Sequence, residues 1–274
     1  MKDKITISLD ENILKKIDND VKNWKWKNRS QIIENVLHEK YWDFVDVTVI
    51  IFTHDYKWDN RPYPFDVPKW LLDIKWKSVI YRQIEIFSSV WITNIILTIP
   101  KETKALHKKE LESNFKNIKF EYVELEKDVQ TWDALKKALE YNFNNNIIIS
   151  NWDIYYGNLN LENYFNYHKE QWWDFSFLLK FVSNPEQLWN VIINWNKIIW
   201  FVEKPKANAL YLTNSWLYIT TKKFLEKNDF WSYLEYEFFP KLHDLWNIIW
   251  YIYSWQWEHI QNDSAYERVN WWNI

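Results

Sequence analysis

Residues 4–9, KITISL, alternate strictly between polar and apolar. Ile5, Ile7 and Leu9 fall on one side, and Lys4, Thr6 and Ser8 on the other, the pattern of a half-buried strand. Asp10 then caps a predicted helix with apolar positions Ile13, Leu14, Ile17 and Val21. After a break at 23–27, Asn28 followed by Gln31 three residues later predicts a second helix start, with Ile32, Ile33, Val36 and Leu37 on its inner face. One strand and two short helices in about 40 residues bury too little to stand alone and call for a second copy.

From residue 47 the pattern changes. Residues 47–52 form a continuous apolar strand, and 79–90 carry a helical stripe at 80, 84 and 87. Predicted strands at 95–99, 118–123 and 147–150 alternate with helices at 103–114 and 131–141. That alternation predicts an α/β domain, a Rossmann-like, mostly parallel sheet with helices on both faces. Strands at 175–182, 191–193, 197–202 and 215–220, helices near 222–228 and 233–245, and a last strand at 248–253 complete it. The expected organisation is a β-α-α module at 1–45 and a larger domain at 46–274. Ligands of such sheets bind outside the carboxyl ends of the strands, which draws attention to the loop at 53–69 and to Asp153.

Composition changes this picture in one respect. The 274 residues include 22 Trp and 1 Gly, against an average of about 7% Gly. The tryptophans also keep glycine-like company. Asn151-Trp152, Asn194-Trp195-Asn196 and Trp246-Asn247 become strong turn signals if Trp is read as Gly. The expectation is that most were written from UGA codons that the organism reads as glycine, with Trp257 the best candidate for a genuine tryptophan. On that reading many Trp side chains are exposed, and Trp58, Trp70, Trp132, Trp152 and Trp216 crowd a ligand cleft, while Gly157 is an ordinary loop glycine. The formal charge of −3 leaves no bulk polycation, and the absence of Cys removes disulfides and thiolate metal sites. The polar start MKDKITISLDEN and the short apolar runs predict a cytoplasmic chain with no membrane segment.

The strand, LDE, helix, turn and RS-helix order at 3–41 resembles the ribbon-helix-helix family. That resemblance implies an intertwined homodimer whose ribbon enters the major groove of DNA. Lys4, Thr6 and Ser8 would then read bases, and the helix start at Asn28, Arg29 and Ser30 would hold a phosphate, helped by Lys25 and Lys27. A dimerisation module with no DNA role fits the same residues.

In the larger domain PKWLLDIKWKSVI at 68–80, QTWDAL at 130–135, NWDIYY at 151–156, FVEKP at 201–205, NSWLYI at 214–219, EYEFFPKL at 235–242 and AYERVN at 265–270 follow one another. In this order they resemble the sugar-1-phosphate nucleotidyltransferases over about residues 47–270. The resemblance implies the nucleotidyltransferase fold, a nucleoside triphosphate and a sugar 1-phosphate as substrates, and Mg²⁺ as cofactor. It implies Asp153 as the metal ligand, and Arg61 and Lys69 neutralising triphosphate charge. Thr131 falls in the nucleobase loop, Lys204 at the sugar phosphate, Glu203 at the sugar hydroxyls and Asn214 along the sugar site. The attacking phosphate oxygen is already an anion, so the chemistry needs positioning and charge neutralisation rather than a general base.

Two segments depart from the family. The loop THDYKWDNRPYPFDVPK lacks the paired glycines and delivers its arginine late, at Arg61. Near the end, His259 or Gln261 occupies the place where the family carries a second metal-binding aspartate, with Asp263 a little further on. Two readings follow: an active enzyme with an attached module, or a catalytically impaired sensor of nucleotide-sugars that biases the front module on DNA.

Overall fold

The computed structural model describes residues 6–23, 27–33, 46–53, 69–126, 129–141, 144–170, 173–183, 185–195, 197–203, 211–228, 233–242, 248–260 and 262–271. The chain divides into two compact units, Met1–Val45 and Asp46–Ile274.

In the first unit Asp10 caps helix α1 (Glu11–Lys22), its carboxylate accepting from the Asn12 N–H at 2.8 Å. A second helix begins at residue 29. Its start is reciprocal, as the sequence predicts. Asn28 Oδ1 accepts from the Gln31 N–H, and Gln31 Oε1 accepts from the Lys27 N–H, each at 2.9 Å. The predicted strand is not observed among the described residues 6–10, which make no ladder. A ribbon strand needs a partner strand, and one chain supplies none. The apolar face of α1 is correspondingly uncovered: Ile13 is exposed and no residue of the helix is fully buried.

The second unit is built on a nine-stranded sheet. Strand β1 (Val47–Phe52) is buried along its whole length, as a strand covered on both faces must be. The β2 (Asp73–Ile74) and β3 (Lys77–Ser78) hairpin leads into helix α2 (Val79–Ser89). Strand β4 (Asn94–Pro100), helix α3 (Lys104–Asn114), strand β5 (Lys119–Leu125), helix α4 (Thr131–Glu140) and strand β6 (Asn146–Asn151) follow. Strands β5, β4, β1 and β6 lie side by side and parallel. The chain thus builds outward from β1 to β4 and β5, then returns to the other side of β1. That reversal is a topological switch point, and its crevice opens at the carboxyl ends of β1 and β6.

The remaining elements are β7 (Ile154–Tyr156), helix α5 (Leu161–Glu170), β8 (Phe175–Phe181), β9 (Trp189–Asn194), β10 (Lys197–Glu203), β11 (Leu212–Thr221), helix α6 (Lys222–Lys227), β12 (Ile248–Tyr253), β13 (Trp257–His259) and helix α7 (Asp263–Trp271). Strand β11 runs antiparallel between β6 and β8, and β12 extends the sheet parallel to β8. The helix predicted at 233–245 is instead a π-helical turn, Leu234–Phe238, closed by Phe239–Lys241, and Pro240 is one reason for the irregularity. Phe175, Phe177, Tyr218, Phe238 and Phe239 form the centre of an aromatic core. Among the described residues no helix is long and apolar enough to cross a membrane.

Among the described residues five non-glycines have left-handed φ, and four of them are tryptophan: Trp76 (68°), Trp91 (66°), Trp195 (55°) and Trp216 (55°), beside Lys75 (49°). Trp195 turns the β9–β10 hairpin, where Lys197 pairs with Asn194. Trp216 sits in a bulge of β11, where four steps from Asn214 to Tyr218 match only two on β8. Such a bulge favours glycine at the left-handed position. Of the thirteen tryptophans whose side chains are described, five are exposed, five buried and three between. Trp152 is buried and does not have left-handed φ, so its turn makes no conformational demand for glycine. Gly157 departs from expectation in the other direction. A Cβ there would stand 3.0 Å from the Gln256 carbonyl oxygen, so the close backbone approach favours glycine, and a larger residue would need the neighbouring strand to shift.

Among the described residues His107 and His168 are buried. Burial pushes His107 down to about 4, opposed by its bond to the Thr103 carbonyl, and burial pushes His168, bonded to Ser176 Oγ at 2.6 Å, to about 4. Both folded values lie below the unfolded value, so the unfolded chain binds more protons as pH falls from 6.5 towards 4, and stability is lost in that window. The expected loss between pH 7 and 5 is about 2 kcal/mol for each histidine. Urea unfolding at the two pH values checks it: His168→Gln should remove about half of the drop.

Candidate functional site

The turn after β6 presents Asp153 beside the carboxyl end of β1. The Trp152 N–H donates to the Phe52 carbonyl at 3.3 Å, and Asn151 pairs in register with Phe52. The conformation of this turn is set from below by Gln83. This residue of α2 is buried, and its Nε2 approaches the carbonyls of Asn151 (2.8 Å), Trp152 (3.3 Å) and Ile154 (2.8 Å). Sequence reading missed it, although a signal existed. Gln83 is a polar residue on the same helical face as Ile80, Ile84 and Phe87, where only a side chain with a buried partner is tolerated. Replacing Gln83 by Leu is expected to lower turnover about 10- to 100-fold, the usual effect of removing a residue that orients a ligand. Steady-state kinetics beside a thermal melt would separate that loss from unfolding.

From above, the turn is closed by the short β7–β13 ladder, in which His259 stands opposite Ile154 and the Ile260 N–H donates to the Asp153 carbonyl at 2.8 Å. Arg268 on α7 holds β13 through a two-toothed ion pair with Glu258, at 2.8 and 3.0 Å. The result is an acid–imidazole pair: His259 Nε2 lies 3.0 Å from Asp153 Oδ2, and both side chains are mostly buried. The outer atoms Asp153 Oδ1 and His259 Nδ1 are buried without a hydrogen-bond partner. The Trp216 ring packs against the imidazole, tilted by 41° with centroids 4.7 Å apart, and Trp257 stacks parallel to Trp216 at 6.2 Å. Of the two residues that sequence reading left open for the second metal-ligand place, His259 contacts Asp153, and Gln261 lies outside the described residues. An oxygen and a nitrogen donor on one edge, with an unpartnered carboxylate oxygen, fit a divalent cation whose other positions come from phosphates and water. Among the described residues no group of three or more His, Cys, Asp or Glu forms a complete metal cage.

A second cluster gathers around Glu235. Thr131, the first residue of α4, donates its hydroxyl to Glu235 Oε2 and accepts from the Leu234 N–H, both at 3.3 Å. Burial raises the Glu235 carboxyl, helped by the nearby charge of Glu203 and opposed by hydrogen bonds. Glu203 ends β10 opposite Trp189, and the Tyr236 phenol bonds to it. Thr131 and Glu203 therefore come together through the segment at 234–236, and Glu235 is a member that sequence reading did not single out.

Other expected site residues stand differently. Asn214 does not line an open surface. It is fully buried in β11, accepting from the Trp216 N–H at 3.2 Å and donating to the Tyr218 hydroxyl at 2.6 Å, so it holds the bulge. The expectation that Trp70, Trp132, Trp152 and Trp216 crowd a cleft is met only in that all four are buried, with Trp132 in the main core. Lys69 opens a 3₁₀ turn, Lys69–Leu71, and its side chain lies outside the described residues, as do Arg61, Lys204 and Trp58. In the front unit, Thr6, Ser8 and Ser30 are exposed, and Lys4 lies outside the described residues. Asn28 is used as a cap, and Arg29 is bound to Asp18 at 2.5 and 2.7 Å, so neither side chain is idle.

Comparison with known proteins agrees with this fold. The sequence profile described as nucleotidyl transferase matches residues 61–241. No curated protein matches the sequence. Among solved structures, a Bacillus anthracis protein assigned as a glucose-1-phosphate thymidylyltransferase, in complex with sucrose, superposes with a TM-score of 0.71 at 19% identity, over 82% of this chain and 94% of its own. HddC from Yersinia pseudotuberculosis does so at 0.69 and 20%, over 81% and 97%. The inositol-1-phosphate CTP transferase of T. maritima does so at 0.67 and 17%, over 81% and 94%. At such identities the superpositions speak for a shared α/β fold, while the profile spans most of the chain, including the acid-bearing turn at Asp153. The chain belongs to the nucleotidyl transferase family.

Proposed function

We propose that the chain transfers a nucleoside monophosphate from a nucleoside triphosphate to a sugar 1-phosphate, releasing pyrophosphate. The observation that carries this reading is Asp153, held at the switch point between β1 and β6 with one carboxylate oxygen free of protein partners. A divalent cation there, Mg²⁺ on the family resemblance, would neutralise charge on the triphosphate and fix its geometry. The sugar phosphate oxygen attacks the α-phosphorus as an anion, so no proton need be removed from it. Lys69 and Arg61 would meet the triphosphate, and Lys204 the sugar's phosphate. Glu203 would hold the sugar hydroxyls, and Thr131 would contribute near the base. The solved relatives carry glucose-1-phosphate and inositol-1-phosphate in their names, which supports a phosphorylated polyol acceptor. The test is pyrophosphate release with each of the common triphosphates against a panel of sugar 1-phosphates. No turnover with any pair would overturn the assignment.

The front unit is read as a ribbon-helix-helix module that completes its core with a second copy. The exposed Ile7 and Ile13, and the reciprocal cap at Asn28, support this. DNA is its proposed partner through Lys4, Thr6 and Ser8, with Asn28, Arg29 and Ser30 at the phosphate. Arg29 would have to exchange Asp18 for a phosphate on binding. Loss of DNA retention when Lys4, Thr6 and Ser8 are all changed to Ala is the expected result, and unchanged retention removes the DNA role.

The tryptophans with left-handed φ are read as glycines. The support is that four of the five left-handed positions among the described non-glycine residues carry this one residue type.

A further inference from the structure

The loop at 53–69 lacks the paired glycines that would let consecutive backbone N–H groups cradle phosphates. At its start, the carboxyl end of β1 is held by a side chain instead. Thr53 follows β1 and is buried, and its N–H and its hydroxyl both reach the Thr98 carbonyl of β4, at 3.0 and 2.8 Å. The same hydroxyl lies 3.4 Å from Nε2 of His107, a fully buried residue of α3. The other ring nitrogen, Nδ1, lies 3.0 Å from the Thr103 carbonyl. A carbonyl only accepts, so Nδ1 carries the proton and Nε2 is an acceptor. The Thr53 hydroxyl can turn to Nε2 without stripping Thr98, whose carbonyl keeps the Thr53 N–H. Burial, which pushes the imidazole down to about 4, keeps the ring neutral and preserves that acceptor at neutral pH. The face of the same ring stacks on Trp70, with centroids 3.9 Å apart and planes 20° from parallel. One side chain thus meets the chain where it leaves β1 and again next to Lys69.

Packing alone accounts poorly for a histidine here. His107 and Leu111 are the two buried residues of α3, and an apolar residue at 107 would fill the space without the cost of burying two ring nitrogens. Resting on the nucleotidyl-transfer reading above, we propose that His107 is a positioning residue, which through Thr53 and residue 70 sets both ends of the first loop for the triphosphate. The hold on Thr53 does not depend on which residue stands at 70. The effect belongs to one substrate only. Glu203, proposed for the sugar, ends β10, which β9, β11 and β6 separate from β1 in the sheet.

The experiment titrates the full chain calorimetrically with each common nucleoside triphosphate, beside initial-rate kinetics and a melting curve. His107→Phe keeps a ring against residue 70 and removes Nε2, whereas His107→Gln places an amide oxygen near the position of Nε2. Triphosphate affinity is expected to fall roughly tenfold in His107→Phe, the worth of one hydrogen bond, and to stay within about threefold in His107→Gln. The KM for sugar phosphate should not change in either. Thr53→Val should match His107→Phe, and the double change should be no worse than either alone. A packing role gives the opposite order, with phenylalanine tolerated better than glutamine. Parent-like triphosphate affinity in His107→Phe overturns the proposal, as does an equal weakening of both substrates, or no triphosphate binding by the unmodified chain. If His107→Phe does not fold, parent-like affinity in Thr53→Val overturns it in the same way. The proposed function fails separately. Triphosphate binding that follows the expected order, with no pyrophosphate released from any substrate pair, upholds the role of His107 and removes the reaction, whereas turnover with parent-like binding in His107→Phe does the reverse.

Discussion

Changing Asp153 to Asn is expected to lower turnover by roughly 10³-fold, about 4 kcal/mol of transition-state stabilisation, with a much smaller change in KM. The two side chains have nearly the same shape, and the turn is held by backbone groups that the change does not touch: the Asp153 carbonyl still accepts from Ile260, and Gln83 still meets residues 151, 152 and 154. What is lost is the charge. On the proposed reading Asp153 would hold a cation near the leaving pyrophosphate, an interaction stronger in the transition state than in the ground state. On that reading the triphosphate would also be held by the basic residues at 61 and 69, and the sugar's phosphate by the one at 204, so the effect should fall on kcat. Initial-rate kinetics with the best substrate pair, beside a melting curve, checks this. Turnover within threefold of the parent would remove Asp153 from the reaction.

The sequence pattern makes some parts of this molecule visible and leaves others hidden, for reasons that can be named. Strand β1 is β-branched but for its last residue and β6 is centred on three isoleucines, the apolar runs expected of strands buried on both faces. The β9–β10 hairpin is visible because its turn chemistry is local. Helix α5 carries an inner face of Leu161, Tyr164, Phe165 and His168, but aromatic, histidine and asparagine residues blur the stripe, and it was not predicted. The β2–β3 and β7–β13 ladders are two and three residues long, too short for any periodicity. The consequence for the site is direct. Asp153 is legible because a strand end and a turn announce it, whereas the choice between His259 and Gln261 stays open in the sequence, because only a tertiary ladder brings His259 to Asp153. Asn214 shows the opposite failure: a side chain placed along a binding surface by resemblance is buried as the support of a bulge.

A chain with glycine at 76, 91 and 195 is expected to be more stable than one with tryptophan there by about 2–3 kcal/mol. Each left-handed residue with a Cβ costs roughly 1–2 kcal/mol, from which glycine's greater unfolded-state freedom takes back roughly 0.5–1. Little packing opposes the gain, because Trp76, Trp91 and Trp195 are 97%, 67% and 91% exposed. Alanine at the same three positions keeps the Cβ and should recover none of it, so the glycine-minus-alanine difference in urea unfolding isolates the backbone effect. Trp216 is the informative contrast. It has the same φ of 55° but is buried against His259 and Trp257. Emptying a packed site of this size costs about 3–5 kcal/mol if the cavity stays unfilled. On the proposed reading that space belongs to substrate and would be filled by water or ligand instead, so Trp216→Gly should raise activity while lowering the stability of the ligand-free protein. The intact mass of protein made by its own cells is the decisive measurement. A mass lower by the difference between tryptophan and glycine at most of the 22 positions is expected, and a mass that accounts for all of them as tryptophan would sink the glycine reading outright.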